Sequence, residues 1–286
     1  MKYFPLATDE FTHSLGVQAL SHGDLLVETT GHYRSEILLK RRLLANDPAH
    51  YLVADEETSE AQAEAFDFLL KQSSHLKSGR NLLLDEVIDT GGSPLLSIAR
   101  HLQEDVVLLA NDPSKDCPVV AGVVCFPSGW SLPDKMGQGI MRVHDPVPAF
   151  AEKLLTPTQQ LMTRLKVGRP VWRMNWGVRP SNQLDQSPRH AAVLRDSARA
   201  VTSANAGQTC FFRVERQTLS LLPNSAHVLF TIHTHQHALN ELTPSQQQRL
   251  CKVLQSCPPS TLAYKGLSEI AIPVTRFLQA NTEQGM

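Results

Sequence analysis

The chain has 286 residues, with 27 Lys and Arg against 28 Asp and Glu, a formal net charge of −1 and 42% hydrophobic residues. That balance suits a packed globular protein and gives no electrostatic footprint for nucleic acid or an anionic membrane surface. Five cysteines, at 117, 125, 210, 251 and 257, form no CxxC pair, so neither a disulfide framework nor a structural zinc site is expected.

At the start, Met1-Lys2-Tyr3-Phe4-Pro5-Leu6 has no apolar run of signal-peptide length and Asp9-Glu10 follows, which fits a cytoplasmic protein. The first third, about 1–103, reads helical. Tyr33, Ile37, Leu38, Leu43 and Leu44 recur near helical spacing. Ser59 and Gln62 have the spacing of a capping box for a second helix, which Gly79 would stop. The Gly91-Gly92-Ser93-Pro94 break precedes a short helix over Leu95–Leu102.

From about 104 onward the period changes. Asp105–Ala110 and Pro118–Phe126 are apolar and β-rich, and the turn residues 111–116 between them predict a hairpin. A helix is expected over Ala149–Lys166 and a strand over Pro170–Trp176. A polar stretch over Ser181–Gln208 mixes loop and helix. Cys210–Leu222 and His227–His235 form the clearest hairpin, turning at Pro223-Asn224-Ser225. Alternation puts Phe211, Arg213, Glu215, Gln217 and Leu219 on one face of its first strand. A helix over Pro244–Leu254 follows, with a frayed tail after Phe277. The fold class is α+β, read as one domain over 1–286.

Dinucleotide binding has no support. Gly137-Gln138-Gly139 lacks a third glycine and opens no βαβ unit, and no phosphate-binding GxxxxGK[ST] loop exists. Histidines offer a second chemistry. His233 and His235, two apart on a strand, share a face and either ligate a metal or form the wet side of a sheet. His144, in Val143-His144-Asp145-Pro146-Val147-Pro148 at an expected strand end, is either an iron ligand on a proline-rigidified junction or a buried, backbone-bonded histidine. Finally, Arg173, Arg213, Glu215 and Arg216 are charged positions inside apolar strands. They suit either a salt-bridge network or guanidinium groups clamping carboxylates.

These segments together resemble a known family. Gln103-Glu104-Asp105, Cys125-Phe126-Pro127-Ser128-Gly129-Trp130, Lys135-Met136-Gly137 and His144-Asp145-Pro146-Val147-Pro148 look like the middle block of the alpha-subunit-like haem-dependent oxidative N-demethylases. Arg173-Met174-Asn175-Trp176 is similar to the next block. Arg213-Val214-Glu215-Arg216-Gln217-Thr218-Leu219, Leu222-Pro223 and Phe230-Thr231-Ile232 are similar to the C-terminal one. The resemblance implies a PAS-like antiparallel sheet wrapped by helices and holding haem b, with demethylation of a small secondary amine by O₂. A reductase partner carrying FMN, a [2Fe–2S] cluster and the NADPH site would supply electrons. It makes His144 the first choice for the iron ligand, with His233 and His235 second. Arg173, Arg213 and Arg216 become candidates for the haem propionates, and Glu215 a catalytic carboxylate or a partner for an arginine. The alternatives are a haem-binding sensor module and a haem-free relative.

Overall fold

The computed structural model describes residues 1–21 and 23–284. Ten strands are present among these residues: β1 (Gln18–Ala19), β2 (Leu52–Ala54), β3 (Leu76–Lys77), β4 (Arg80–Asn81), β5 (Glu86–Val87), β6 (Asp105–Leu109), β7 (Val119–Val123), β8 (Val171–Arg179), β9 (Phe211–Leu221) and β10 (Val228–Ala238). Seven build one sheet in the order β1-β8-β9-β10-β6-β7-β2, and β3-β4-β5 form a small second one. Every pairing between these strands is antiparallel. The α+β class expected from the sequence is the class observed.

Both predicted hairpins exist. β9 and β10 pair over their full eleven residues, from Val228↔Leu221 to Ala238↔Phe211. The β6–β7 pairing carries an irregularity at Leu108/Leu109, and β6 also extends the sheet by pairing with β10.

The helices are α1 (Tyr33–Asn46), α2 (Pro48–Tyr51), α3 (Ser59–Gln72), α4 (Pro94–Ala99), α5 (Ile140–His144), α6 (Leu155–Arg164), α7 (Ala191–Arg199), α8 (Ala206–Thr209), α9 (Pro244–Ser256), α10 (Pro259–Tyr264) and α11 (Ala271–Gln284). Among the described residues no helix is long and apolar enough to cross a membrane. Local chemistry sets several boundaries. Thr243 and Gln246 form a reciprocal capping box with Pro244 in the first turn of α9, satisfying donors that the first turn leaves free.

Four local expectations are corrected. Ser59 is the first residue of α3 rather than its cap, and the preceding 3₁₀ turn is capped by Asp55. α3 ends at Gln72, while Gly79, with φ +71°, makes the turn between β3 and β4. His144 ends a short helix instead of a strand. The chain after Phe277 stays helical to Gln284, because Val274 and Leu278 of α11 bury against α9 and α8.

Both faces of the large sheet are covered. On one, Val106, Leu108, Ala121, Val123 and Leu229 pack with residues of α3 and α4, and Val178, Phe212 and Val214 pack with α9 and α11. On the other, Leu219, Val228, Val171 and Phe230 meet Ile140, Phe150, Met162 and Leu165.

Polar residues pin the chain at the entrance to β6. Gln103, Glu104 and Asp105 are at most 1% exposed. Gln103 Oε1 accepts from Thr30 N (2.8 Å), and Glu104 Oε1 accepts from Glu28 N (2.9 Å). Asp105 accepts from Cys125 N and Phe126 N (2.9 and 2.7 Å). Lys40, fully buried on the inward stripe of α1, donates to the carbonyls of Leu102, Gln103 and Glu104 and pairs with Asp105 Oδ1 at 3.0 Å.

His101, 5% exposed, accepts at Nδ1 from Asn81 Nδ2 (3.0 Å) and Arg41 Nη2 (3.1 Å). Burial, reinforced by Arg41, pushes its pKa down to about 4. Its folded value thus lies below the unfolded value, so its stabilising contribution is complete above pH ~6.5 and is lost as pH falls. At pH 5 the loss from this group is on the order of 2 kcal/mol relative to pH 7. Denaturant melts at the two pH values should show a lower midpoint at pH 5, with His101→Gln narrowing the difference. An unchanged difference in that variant assigns the effect elsewhere.

Candidate functional site

The site lies on the sheet face beneath α5 and α6. Strand alternation and register put Arg173, Asn175 and Gly177 of β8 beside Gln217, Glu215 and Arg213 of β9, with Ile232, Thr234 and Gln236 of β10 on the far side. The face is apolar at one end, around Leu219 and Phe230, and polar at the other.

His144 is delivered to the apolar end by a chain of specific contacts. The turn before β7 carries Asp116 and Cys117 at φ +59° and +52°. It offers Asp116 O to Ile140 N (2.9 Å) and Asp116 Oδ2 to Met141 N (2.6 Å), anchoring the start of α5. A Cβ on Gly139 would stand 2.8 Å from Asp116 Cβ, so this glycine is needed for the approach. Gly137, at φ +70°, turns the chain just before it. The Gly137-Gln138-Gly139 pattern therefore serves backbone geometry.

At the end of α5, His144 Nδ1 lies 2.7 Å from Ile140 O. A carbonyl can only accept, so Nδ1 carries the hydrogen and Nε2 keeps its lone pair. The ring stacks on Phe150 at 4.5 Å and 5°, and Phe150 opens a π-helical turn over 150–154 behind Ala149 at φ +58°. Burial lowers the His144 pKa, the Ile140 hydrogen bond opposes that, and Arg173 adds to the lowering. The imidazole is thus neutral near pH 7. Beside it lies a recess of about 280 Å³ lined by Met141, His144, Asp145, Pro148, Phe150 and Glu152 among others, just below the usual range of roughly 300–1,000 Å³ for small-ligand pockets.

The charged strand positions divide into three kinds. Arg173 has a buried Nε with no hydrogen-bond partner among the described residues; burial lowers its pKa and Glu215 pulls it back up. Arg213 is occupied: Nε donates to Ser128 Oγ (2.8 Å) and Nη2 to Phe126 O (2.7 Å). Burial takes its pKa down to about 10, against the pull of Glu215. It pins the Cys125–Gly129 loop to β9. Arg216 points to the opposite face, donating to Leu25 O and Leu26 O (2.5 and 3.2 Å), with Nε 3.7 Å from Glu28 Oε2. It shares no site with His144, because alternation turns it away.

Glu215, 5% exposed, accepts from Gln217 Nε2 (2.9 Å) and Asn175 Nδ2 (3.3 Å). Positive groups surround it: it raises the pKa of Arg173, Arg179 and Lys265 against their burial. Burial still takes Lys265 down to about 8, and its Nζ donates to Trp176 O (2.6 Å). Arg179 and Lys265 were not singled out in the sequence, and the only signal for Arg179 is its place on the charged-strand pattern of β8.

His233 and His235 stand on the face opposite the recess. They are not the wet side of a sheet: His233 is 1% exposed. Their rings stack at 4.2 Å, and Tyr3 packs on His235 at 4.9 Å. That packing suits an ion between side chains better than a macrocycle.

The family described as haem-dependent oxidative N-demethylase, alpha subunit-like, matches residues 16–275. This chain belongs to that family. The match spans both faces of the sheet, from just ahead of β1 into the first turn of α11, and includes His144, Arg173, Arg213, Glu215, Arg216, His233 and His235.

Proposed function

We propose that this chain is the haem-bearing, substrate-oxidising subunit of an oxygenase that removes a methyl group from a small secondary amine. The observation that carries the reading is His144. It is a neutral imidazole with Nδ1 tied to a carbonyl, no hydrogen-bond partner on Nε2 among the described residues and a recess of mixed polar and apolar lining alongside, in a chain of a haem-dependent family. Such second-contact anchoring is how ligating histidines are oriented. The residues fit haem b in two further respects. The unpartnered Arg173 Nε suits a propionate, and Val147, Phe150 and Phe230 give the site apolar walls. We read the whole chain as one PAS-like domain built round this site.

Bound haem supplies an iron at which O₂ is activated by incoming electrons. His144 Nε2 would hold that iron, Phe150 fixes the plane of the imidazole ring, and Arg173 would balance propionate charge. Glu215 is an acidic group set among Arg173, Arg179, Arg213 and Lys265. With Asn175 and Gln217 fixing its carboxylate, it holds the alkylammonium or passes protons toward the reacting oxygen. The net reaction takes an N-methyl amine, O₂, NADPH and a proton to the demethylated amine, formaldehyde, water and NADP⁺. The sequence has neither a dinucleotide fingerprint nor a cluster-type cysteine spacing. That agrees with what the family resemblance implies, a reductase partner that carries NADPH, FMN and the [2Fe–2S] cluster; the working compartment we propose is the cytoplasm.

Formaldehyde release from methylated secondary amines, with NADPH and a reductase of this composition, tests the reading. The haem-loaded chain alone should not oxidise NADPH, and steady turnover without a reductase contradicts the division of labour. Glu215→Gln should keep the haem spectrum and lower turnover by ~10²-fold or more. Undiminished turnover in that variant makes Glu215 a purely structural partner of the arginines.

A further inference from the structure

On the face opposite the recess, Glu28, His233 and His235 each present a ligand atom, and all three atoms lie within 4.8 Å of one another. Glu28 and His233 are 6% and 1% exposed. Glu28 Oε2, His233 Nε2 and His235 Nε2 are all buried without a hydrogen-bond partner in the described structure. Leaving three such atoms unsatisfied is costly, and two imidazoles with one carboxylate are a common donor set for a divalent transition ion.

The surroundings are arranged as an outer shell. Glu104, fully buried, lies 3.0 Å from His233 Nδ1 through Oε1, the oxygen that also accepts from Glu28 N. One carboxylate thus orients both an imidazole and the backbone of the second ligand. It fixes the hydrogen on His233 Nδ1 and aims the Nε2 lone pair at His235 and Glu28, the carboxylate–histidine–metal arrangement. Two carboxylates, Glu28 and Glu104, offset the charge of an ion. The facing cations are Arg216, whose Nη1 and Nη2 serve the Leu26 and Leu25 carbonyls while its Nε stands 3.7 Å from Glu28 Oε2, and Lys2, which is largely exposed and meets Glu28 Oε1 at 2.6 Å. Tyr3, whose hydroxyl donates to Glu28 Oε1 at 2.5 Å, lies over His235.

We propose that Glu28, His233 and His235 form a second metal centre, separate from the haem site, that takes a divalent transition ion of the zinc class. Seating the ion at ~2.0–2.2 Å from each ligand asks for side-chain shifts of roughly an ångström. Water or the Tyr3 phenol oxygen completes the coordination. The ion ties the segment that carries Glu28 to the centre of β10, across more than 200 positions of sequence.

The test uses untagged full-length protein, stripped with chelator and titrated with Co²⁺ and then Zn²⁺, in haem-free and haem-loaded forms. The expected result is one equivalent of Co²⁺ with intense ligand-field bands of a four- or five-coordinate site, displaced by Zn²⁺, in both forms. His233→Asn and His235→Asn should each weaken binding at least ten-fold. Glu104→Gln, an outer-shell change, should weaken it by ~10–100-fold, while His144→Ala leaves it intact. A wild-type titration with only weak, octahedral-type Co²⁺ spectra and no stoichiometric end point overturns the proposal without recourse to any variant. So does stoichiometric binding that survives both histidine replacements.

Discussion

His144→Ala is expected to abolish stable haem retention, with the Soret band moved or lost and hemin dissociating at least ten-fold faster, while the far-ultraviolet spectrum stays native. The ring contributes one hydrogen bond and one stacked contact to the fold, worth ~1–3 kcal/mol together. Its proposed Nε2–iron bond has no substitute on the recess lining other than Asp145 and Glu152 carboxylates and the Met141 thioether. His144→Gly with added imidazole should restore much of the native spectrum, separating a missing ligand from a damaged pocket. His233→Ala and His235→Ala should leave the iron spectrum unchanged, since both lie on the other face. A silent His144→Ala together with haem loss in either of those variants would move the axial ligand to β10.

Lys40→Met is the largest stability loss expected from any single change. Lys40 and Asp105 are 0% and 1% exposed in their side chains, and the ammonium also serves three carbonyls at the entrance to β6. Removing the cation leaves a buried carboxylate that keeps the Cys125 and Phe126 amides but has lost its ion-pair partner, at a cost of ~3–5 kcal/mol. That is a large part of a typical total stability of ~5–15 kcal/mol. A double-mutant cycle with Asp105→Asn checks the mechanism: the pair of changes should cost clearly less than the sum of the single ones. Additive losses would show that the two charges act independently.

The core hairpin was legible because the sequence from Cys210 to His235 alternates in the way a strand must, and that alternation correctly separated Arg213, Glu215 and Gln217 from Arg216. What it could not reveal is what covers each face. Irregular chain around Glu28 lies over His233, so of the two histidines that looked solvent-facing His233 is buried and His235 half-buried. Only long-range packing decides that. Lys40 falls on the inward stripe between Ile37 and Leu44, a signal present in the helical spacing. The polar motifs Gln103-Glu104-Asp105 and Cys125–Gly129, which resemble the family's, have mainly structural contacts. They hold Thr30, Glu28, Lys40 and Arg213. Charge inside an apolar strand identifies a residue under constraint, but its partner determines whether the constraint is structural or functional. The local setting of His144 was only partly legible: the prolines follow it, but the Asp116 contacts at Gly139 and the Ile140 carbonyl fix it at the end of a short helix.

The most direct measurement is a hemin titration of the purified wild-type chain, followed by absorbance. A saturable one-to-one complex, with a Soret band that shifts on dithionite reduction and again on CO, is the predicted result. Absorbance that rises without saturation, like that of hemin on an unrelated protein, would contradict the haem site itself.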